Sequence, residues 1–258
     1  MNRVLRAPAP ANVIWLDDCD STNAVAGRLV QSWLAGEEDR LPETLLVAQR
    51  QSAGRGRGSH GWQSPAGGLY ATWLAWLPMR ALPLLPMAVG VSLAAAVDEL
   101  LAGVRVELKW PNDLLVGGRK LGGVLCASRT DGEAAWVSVG FGINIGTDPV
   151  LSGGDRTKTV SLASLGFAGD VGEGIWSLVA GFLARIHPSL EDPEGSRAEW
   201  IARSIHRAGE VMHLRLHSGV VEGRFVGFGQ DGELELEVGG KLGRFSTGEL
   251  LGEKEPGG

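Results

Sequence analysis

Between Glu43 and Asp98 the chain runs for 54 residues without a single Asp or Glu. At the chain's average density roughly six acids would fall there. The second part of this window constrains the fold most. Residues 81–97 form a run of 17 that carries no charge of either sign. Such a segment is stabilised by burial on every side, so other elements must surround it. Pro83, Pro86, Gly90 and Ser92 interrupt the run, and a membrane span needs about 20 apolar residues. The pattern therefore predicts a core helix over about 84–101. With 258 residues and 44% hydrophobic content, the chain is long enough to build that core. The first part of the window differs in kind, because Arg50, Arg55 and Arg57 lie in or beside a glycine-rich stretch. In a chain of net charge −6, an acid-free, arginine-bearing stretch reads as a local site for an anion. The overall charge disfavours a nucleic-acid coat held by bulk electrostatics.

Around the core helix, strand and helix patterns alternate. Residues 13–17 read as a short strand, and Asp20-Ser21-Thr22-Asn23 is a dense helix N-cap signal. The helix after it is predicted to place Val25, Leu29, Trp33 and Leu34 on one face and to stop at Gly36. Residues 44–48 form a strand that leads into a loop, glycine-rich from Gly54 to Gly68, and 69–77 form the next strand. Short strands at 104–109 and 114–116 flank Pro111-Asn112-Asp113. Gly117-Gly118 is a hairpin signal, so 120–127 should pair back on the preceding strand. Residues 136–145 continue the sheet, and helices follow near 175–187 and 197–206. From Val211 the pattern changes to short alternating strands at 211–216, 220–228, 233–238 and 242–246. Turn signals at Ser218-Gly219, Gln230-Asp231-Gly232 and Gly239-Gly240 separate them. This predicts a small β-barrel or sandwich appended to an α/β domain, with a boundary near 207–209. The 39 glycines, about twice the usual share, show no G-X-Y period and serve turns and loops. Cys19 and Cys126 have no ligand-like spacing, which argues against a disulfide framework or zinc site and for a reducing, cytoplasmic setting. No apolar stretch of signal-peptide length follows Arg3 and Arg6.

Three clusters carry chemistry. In Gln51-Ser52-Ala53-Gly54-Arg55-Gly56-Arg57-Gly58-Ser59-His60-Gly61-Trp62, glycines let backbone amides approach a ligand while guanidiniums supply paired donors for carboxylate or phosphate. A dinucleotide fingerprint needs a helix after it, whereas a strand follows here, and no P-loop motif is present. A solvated flexible loop explains the bare pattern equally well. In Lys109-Trp110-Pro111-Asn112-Asp113 and Arg119-Lys120-Leu121-Gly122-Gly123, a tight turn brings two lysines and an Asp together. A lysine there can stabilise charge developing on a phosphoryl group, and the carboxylate can hold Mg²⁺; an ordinary surface hairpin is the plainer explanation. The third, Gly140-Phe141-Gly142-Ile143-Asn144, has glycines inside a strand, where a ligand or a crowded core could come close. Ser21-Thr22-Asn23 alone is a helix cap.

Together, in this order and spacing, these clusters closely resemble the biotin protein ligases, from about residue 13 to 146. The β-rich part at 209–250 gives weaker support. The resemblance implies an α+β fold: a mixed-sheet catalytic domain of the class II synthetase-like kind over 1–208, and a small SH3-like β-barrel over 209–258. It implies an enzyme that joins biotin to ATP as biotinyl-5′-adenylate, releasing pyrophosphate, and passes the biotinyl group to one lysine of a biotin carboxyl carrier protein. ATP and Mg²⁺ would be required. Ser21, Thr22, Asn23, Gln51, Arg55, Gly56, Arg57, Lys120 and Gly123 would line the biotin pocket. Arg55, Arg57, Trp62, Lys109, Asn112, Lys120 and Asn144 would face the adenylate, with Lys120, Arg57 and Lys109 as the catalytic cations and Asp113 by the metal. The physics fits: a carboxylate attacking the α-phosphate brings two anions together, so cations and positioning carry catalysis. The mixed anhydride hydrolyses readily, so a loop must cover it.

The chain departs from the family where further arginines are common, having Gly58 and His60 instead, which leaves the loop less basic. Only about twenty residues precede Ser21, too few for a DNA-binding helix-turn-helix, so a ligase without operator binding or membrane attachment is expected. An exposed sheet edge could pair across a two-fold axis, which leaves a homodimer open. A lipoate–protein ligase-like acyltransferase and a non-catalytic biotin sensor are the alternatives. No histidine in the motifs stands out as the base for the second step.

Overall fold

The computed structural model describes residues 12–34, 42–58, 61–149 and 159–251. Gly36, the expected helix stop, and His60 lie outside them. Seven strands form one mixed sheet in the order β1-β2-β3-β7-β6-β5-β4. They are β1 (Asn12–Cys19), β2 (Thr44–Gln51), β3 (Gly68–Pro78), β4 (Glu107–Lys109), β5 (Asp113–Val116), β6 (Arg119–Asp131) and β7 (Ala134–Asn144). β1 and β2 run parallel, with helix α1 (Thr22–Leu34) between them in the chain. Every other neighbouring pair is antiparallel. Gly117 and Gly118, with φ of 55° and 72°, form the tight turn joining β5 to β6, the left-handed pair that a two-residue hairpin requires.

The alternation along β3 and β7 divides the sheet into two unlike faces. Leu69, Ala71, Trp73, Val137, Val139, Phe141 and Ile143 belong to the main core with α2 (Leu85–Leu100) and α3 (Val171–Glu191). Phe182 of α3 packs against both Trp73 and Phe141, with ring centroids 6.1 and 4.8 Å away. The uncharged run is α2, and residues from Leu85 to Val97 are buried all round it. The opposite face carries a smaller apolar patch of Leu74, Trp136 and Val30, with Leu29, Trp33 and Trp76 against it. The expected face of α1 is met only in part: Leu29 and Trp33 pack on the sheet, but the fully buried positions are Thr22, Ala26 and Val30, and Leu34 is 43% exposed. The first turn sets this rotation, because Thr22 is hydrogen-bonded down onto the sheet.

Helix α3 begins four residues before its expected start. Asp170 and Glu173 form a reciprocal capping box, the Asp170 carboxylate accepting from the Glu173 amide at 2.8 Å. α4 spans Pro193–Arg203, not 197–206. Asp192 accepts from the Gly195 amide and Pro193 opens the first turn. Residues 204–206 instead run beside β4, where the Ile205 amide donates to the Leu108 carbonyl.

Five further strands follow: β8 (Val211–Leu216), β9 (Gly219–Phe228), β10 (Leu234–Val238), β11 (Lys241–Phe245) and β12 (Glu249–Leu250). They form an antiparallel sheet in the order β11-β10-β9-β8-β12. β11 and β12 are its two edges, so among the described residues strand pairing does not close the sheet into the expected barrel. Its inner residues Met212, Leu214, Phe225, Phe228, Leu234 and Leu236 join the main core. Trp200 of α4 meets Phe228 edge-on at 4.8 Å. No helix among the described residues is long and apolar enough to cross a membrane.

Candidate active site

A transverse row of residues crosses the sheet through paired positions: Lys109, Asp113, Gly123, Gly142, Tyr70 and Ala48. Directly paired residues project to the same face, so the two central glycines leave a trough between Asp113 and Tyr70. The indole of Trp62 lies in that trough. A Cβ on Gly142 would stand 2.7 Å from the ring, and one on Gly123 3.5 Å from it. Lys120 Nζ sits 5.3 Å above the indole and pairs with Asp113 Oδ1 at 2.6 Å. Both charged side chains are about three-quarters buried, so this pair is screened less than a surface one. The Trp62 Nε1 is buried without a hydrogen-bond partner.

One step along the same face, Gly140 leaves a second gap, opposite Thr72. The Asn23 amide fills it, and a Cβ on Gly140 would stand 2.5 Å from that group. Around it runs a polar network. The Thr72 hydroxyl contacts Thr22 Oγ1 and Asn23 Oδ1, each at 2.8 Å. Gln51 Oε1 accepts from the Thr22 amide at 2.8 Å, and Gln51 Nε2 donates to Ser64 Oγ at 2.8 Å. Ser21 is buried at the helix start. Beside it Asp20 accepts a two-pronged ion pair from Arg28, which holds its carboxyl well below the usual range.

The arginine loop is a lobe rooted in the sheet. Gln51 bridges Ser64, Arg55 bridges Gly61, and the Trp62 amide donates to the Gly54 carbonyl at 2.9 Å. Arg55 is exposed on this lobe and Gly56 half-buried. Arg57 reaches the other sheet: its guanidinium donates to the Gly248 carbonyl at 2.9 Å and to Thr247 Oγ1 at 3.0 Å. Burial lowers its pKa, against the pull of Asp113 and Glu249.

Two of the expected ligand-facing amides serve the scaffold. Asn112 Nδ2 donates to the Val124 carbonyl, and Asn144 Nδ2 donates to the carbonyls of Lys120 and Val160. Each ties neighbouring segments together, Asn144 from the same sheet face as Gly142. Lys109 is half-buried beside Asp113 in register. Trp110, joined to Pro111 by a cis peptide bond, is anchored twice. Its amide donates to His206 Nε2 at 3.1 Å and its indole to the Gly232 carbonyl at 3.2 Å. Burial pushes His206 down to about 4, so the imidazole stays neutral and accepts. Among the described residues, no three His, Cys, Asp or Glu side chains gather as a metal cage.

Sequence reasoning missed Thr72, Ser64, His206 and the pair Thr247–Gly248. Thr72 had a signal, being the single aliphatic hydroxyl in a strand otherwise apolar or aromatic from Leu69 to Leu77, and such a group needs a buried partner. Thr247 and Gly248 had none, being some 190 residues from the arginine they hold.

The site thus combines a mixed sheet, a lysine–aspartate pair and an arginine-loop tryptophan packed under the lysine. Residues 28–144 match the Biotin/lipoate A/B protein ligase family. The biotin–[acetyl-CoA-carboxylase] ligase of Paracoccus denitrificans is 31% identical over 233 residues, covering 87% of this chain and 93% of that one. The bifunctional ligase/repressor BirA of Bacillus subtilis is 32% identical over 145 residues, so the match spans only 42% of that longer chain. A solved biotin protein ligase from Aquifex aeolicus, in complex with biotin and ATP, superposes with a TM-score of 0.72 at 27% identity. That likeness covers 93% of this chain and 97% of that one. The chain belongs to the biotin protein ligase family.

Proposed function

We propose that the chain is an ATP-dependent biotin protein ligase. Biotin's carboxylate attacks the α-phosphate of ATP, forming biotinyl-5′-adenylate and releasing pyrophosphate. The ε-amine of one lysine on a biotin carboxyl carrier protein then attacks the acyl carbon, forming the amide and expelling AMP. The observation that carries this reading is the Lys120–Asp113 pair, with Lys120 over the Trp62 indole, on a chain that also holds a polar network through Gln51, Thr22 and Asn23. Lys120 and Arg57 supply the positive charge that the first step demands, with Lys109 beside them. Ser21, Thr22, Asn23, Gln51 and the glycine-floored strand at Gly123 offer a neutral, hydrogen-bonding wall suited to biotin's ureido ring. Arg55 and Gly56 belong to the loop that would close on the adenylate, and Trp62 would exclude water from it.

Asn112 and Asn144 act on this reading through the backbone they brace. Asp113 is already paired with Lys120, and among the described residues no three His, Cys, Asp or Glu side chains gather to hold a cation. That fits magnesium arriving on the ATP phosphates better than a resident ion. The chain divides, on the same reading, into a catalytic domain at 1–208 and an SH3-like domain at 209–258. Its two free cysteines suit a reducing, cytoplasmic setting. A homodimer through a sheet edge would be compatible with this arrangement.

The test is incubation with Mg·ATP, biotin and an apo carrier domain, followed by intact-mass measurement. One biotinyl group on the carrier lysine is expected. No adduct, or equal transfer from lipoate, would sink the proposal.

A further inference from the structure

We infer that Thr247 and Gly248, in the turn between β11 and β12, are positioning residues for Arg57. The second sheet thereby completes the adenylation site. The inference rests on the ligase reading above. Arg57 stands between Gly56 and Gly58, and Gly58 has a left-handed φ of 58°. The loop backbone therefore does little by itself to aim a long, freely rotating side chain. Two contacts aim it, one from Nη1 to the Gly248 carbonyl at 2.9 Å and one from Nη2 to Thr247 Oγ1 at 3.0 Å. A guanidinium has five N–H donors, so three remain for an anionic ligand. The charged groups that act on it are Asp113, on the catalytic side, and Glu249, next to the turn. Arg57 thus stands half-buried between the Lys120–Asp113 pair and the second sheet, in reach of the fields of both. Desolvation of a cation is unfavourable unless its donors are satisfied, and the turn satisfies two without neutralising the charge. A carboxylate in the place of the Thr247 hydroxyl would have cancelled the charge that the phosphates need.

The experiment compares Thr247→Val, which keeps the shape and removes the acceptor, with Thr247→Ser, which keeps the acceptor. Biotin-dependent pyrophosphate release is measured across ATP concentration. Thr247→Val is expected to lower kcat/KM for ATP about five- to tenfold, with its melting temperature unchanged. Thr247→Ser recovers most of that loss. In an Arg57→Ala background, Thr247→Val adds less than a twofold effect. Parent kinetics in Thr247→Val would overturn the inference, as would a full loss that persists without Arg57. A rate that rises would also overturn it, because the contact would then be a restraint on Arg57. Tryptic cleavage after Arg57 reads the contact without any turnover, and should speed several-fold in Thr247→Val and not in Thr247→Ser. If the parent releases no pyrophosphate, the ligase reading fails while the cleavage result still decides whether the turn holds Arg57.

Discussion

Replacing Gly142 with alanine sets a methyl group against the Trp62 indole. The new Cβ would stand 2.7 Å from Nε1 and Cε2, where ordinary contact begins near 3.4 Å. The ring must therefore retreat by roughly 0.7 Å, enough to forfeit a large part of its dispersion contacts. Gly142 lies in a strand paired on both sides, to β3 and β6, so its backbone is poorly placed to give way. Compressing the ring in place would cost about 1–3 kcal/mol. Leaving the trough costs less. The cation–π contact to Lys120 contributes about 0.5–2 kcal/mol, yet the buried, unpartnered indole N–H carries a penalty of about 1–3 kcal/mol. The seat is nearly balanced, so the global loss should stop near 1 kcal/mol, a fall of about 2–4 °C in melting temperature. The ring itself should leave, and acrylamide should then quench more of the tryptophan fluorescence. Because the chain has nine tryptophans, the measurement is a difference: the extra quenching must vanish when Trp62 is Phe. A fall well beyond 4 °C with no new quenching would refute the reasoning, since the ring would then have stayed under compression.

Lys120→Ala should cut biotin-dependent pyrophosphate release by about 100-fold or more with the circular dichroism spectrum unchanged; release at the parent rate would remove its charge-neutralising role. Arg203, buried at the end of α4, pairs with Asp98 at 2.6 Å and Glu199 at 2.7 Å. Its replacement by alanine should cost about 3–5 kcal/mol in denaturant unfolding because Asp98 is left unpaired, and lysine, lacking the planar fork, should not restore it. His187 and Glu43 pair at 2.9 Å, with the Trp73 indole donating to the same carboxylate. The pair raises the His187 pKa. Burial pushes Glu43 up, but the hydrogen bonds from His187 and Trp73 outweigh it and hold the carboxyl low. The His187 contribution is complete below its unfolded value of about 6.5 and is lost as pH rises through its raised folded value. The Glu43 contribution is complete above about 4.5 and is lost as pH falls through its lowered folded value. The stability gap between parent and His187→Phe should therefore be widest at about pH 4.5–6.5, at under about 1 kcal/mol given the exposure of the pair, and should shrink by about pH 9. A gap independent of pH would contradict this.

Local signals carried much of the fold. The uncharged run could only be a surrounded helix, and Gly117-Gly118 could only be a tight turn between β5 and β6. The errors have identifiable sources. α4 starts earlier than its apolar pattern indicates because Asp192-Pro193 supplies an N-cap followed by a first-turn proline. The buried stripe of α1 is rotated from the Val25–Leu34 side toward Thr22, Ala26 and Val30, because Thr22 is tied to Gln51 and Thr72, which its apolar residues alone do not reveal. At the site, the types and order of Gln51, Arg57, Trp62, Asp113 and Lys120 were legible. Their arrangement was not, because it depends on register: Asp113, Gly123 and Gly142 share a row only after three strands have paired. Nor does sequence reveal that Asn112 and Asn144 each donate to backbone carbonyls of neighbouring segments.

The double anchoring of Trp110 has a consequence for how the protein is made. Its amide is held by His206 and its indole by Gly232, and Arg57 is held by Thr247 and Gly248. On a ribosome adding about 5–20 residues each second, the seven-stranded sheet can pair before any of those partners has been translated. The turn bearing Asp113 and the loop bearing Arg57 then wait for the last fifth of the chain. A nascent or prematurely ended chain would hold a nearly complete sheet with an unfinished site. On the ligase reading proposed above, such a chain would have little capacity to form and leak a reactive acyl adenylate onto neighbouring proteins during synthesis.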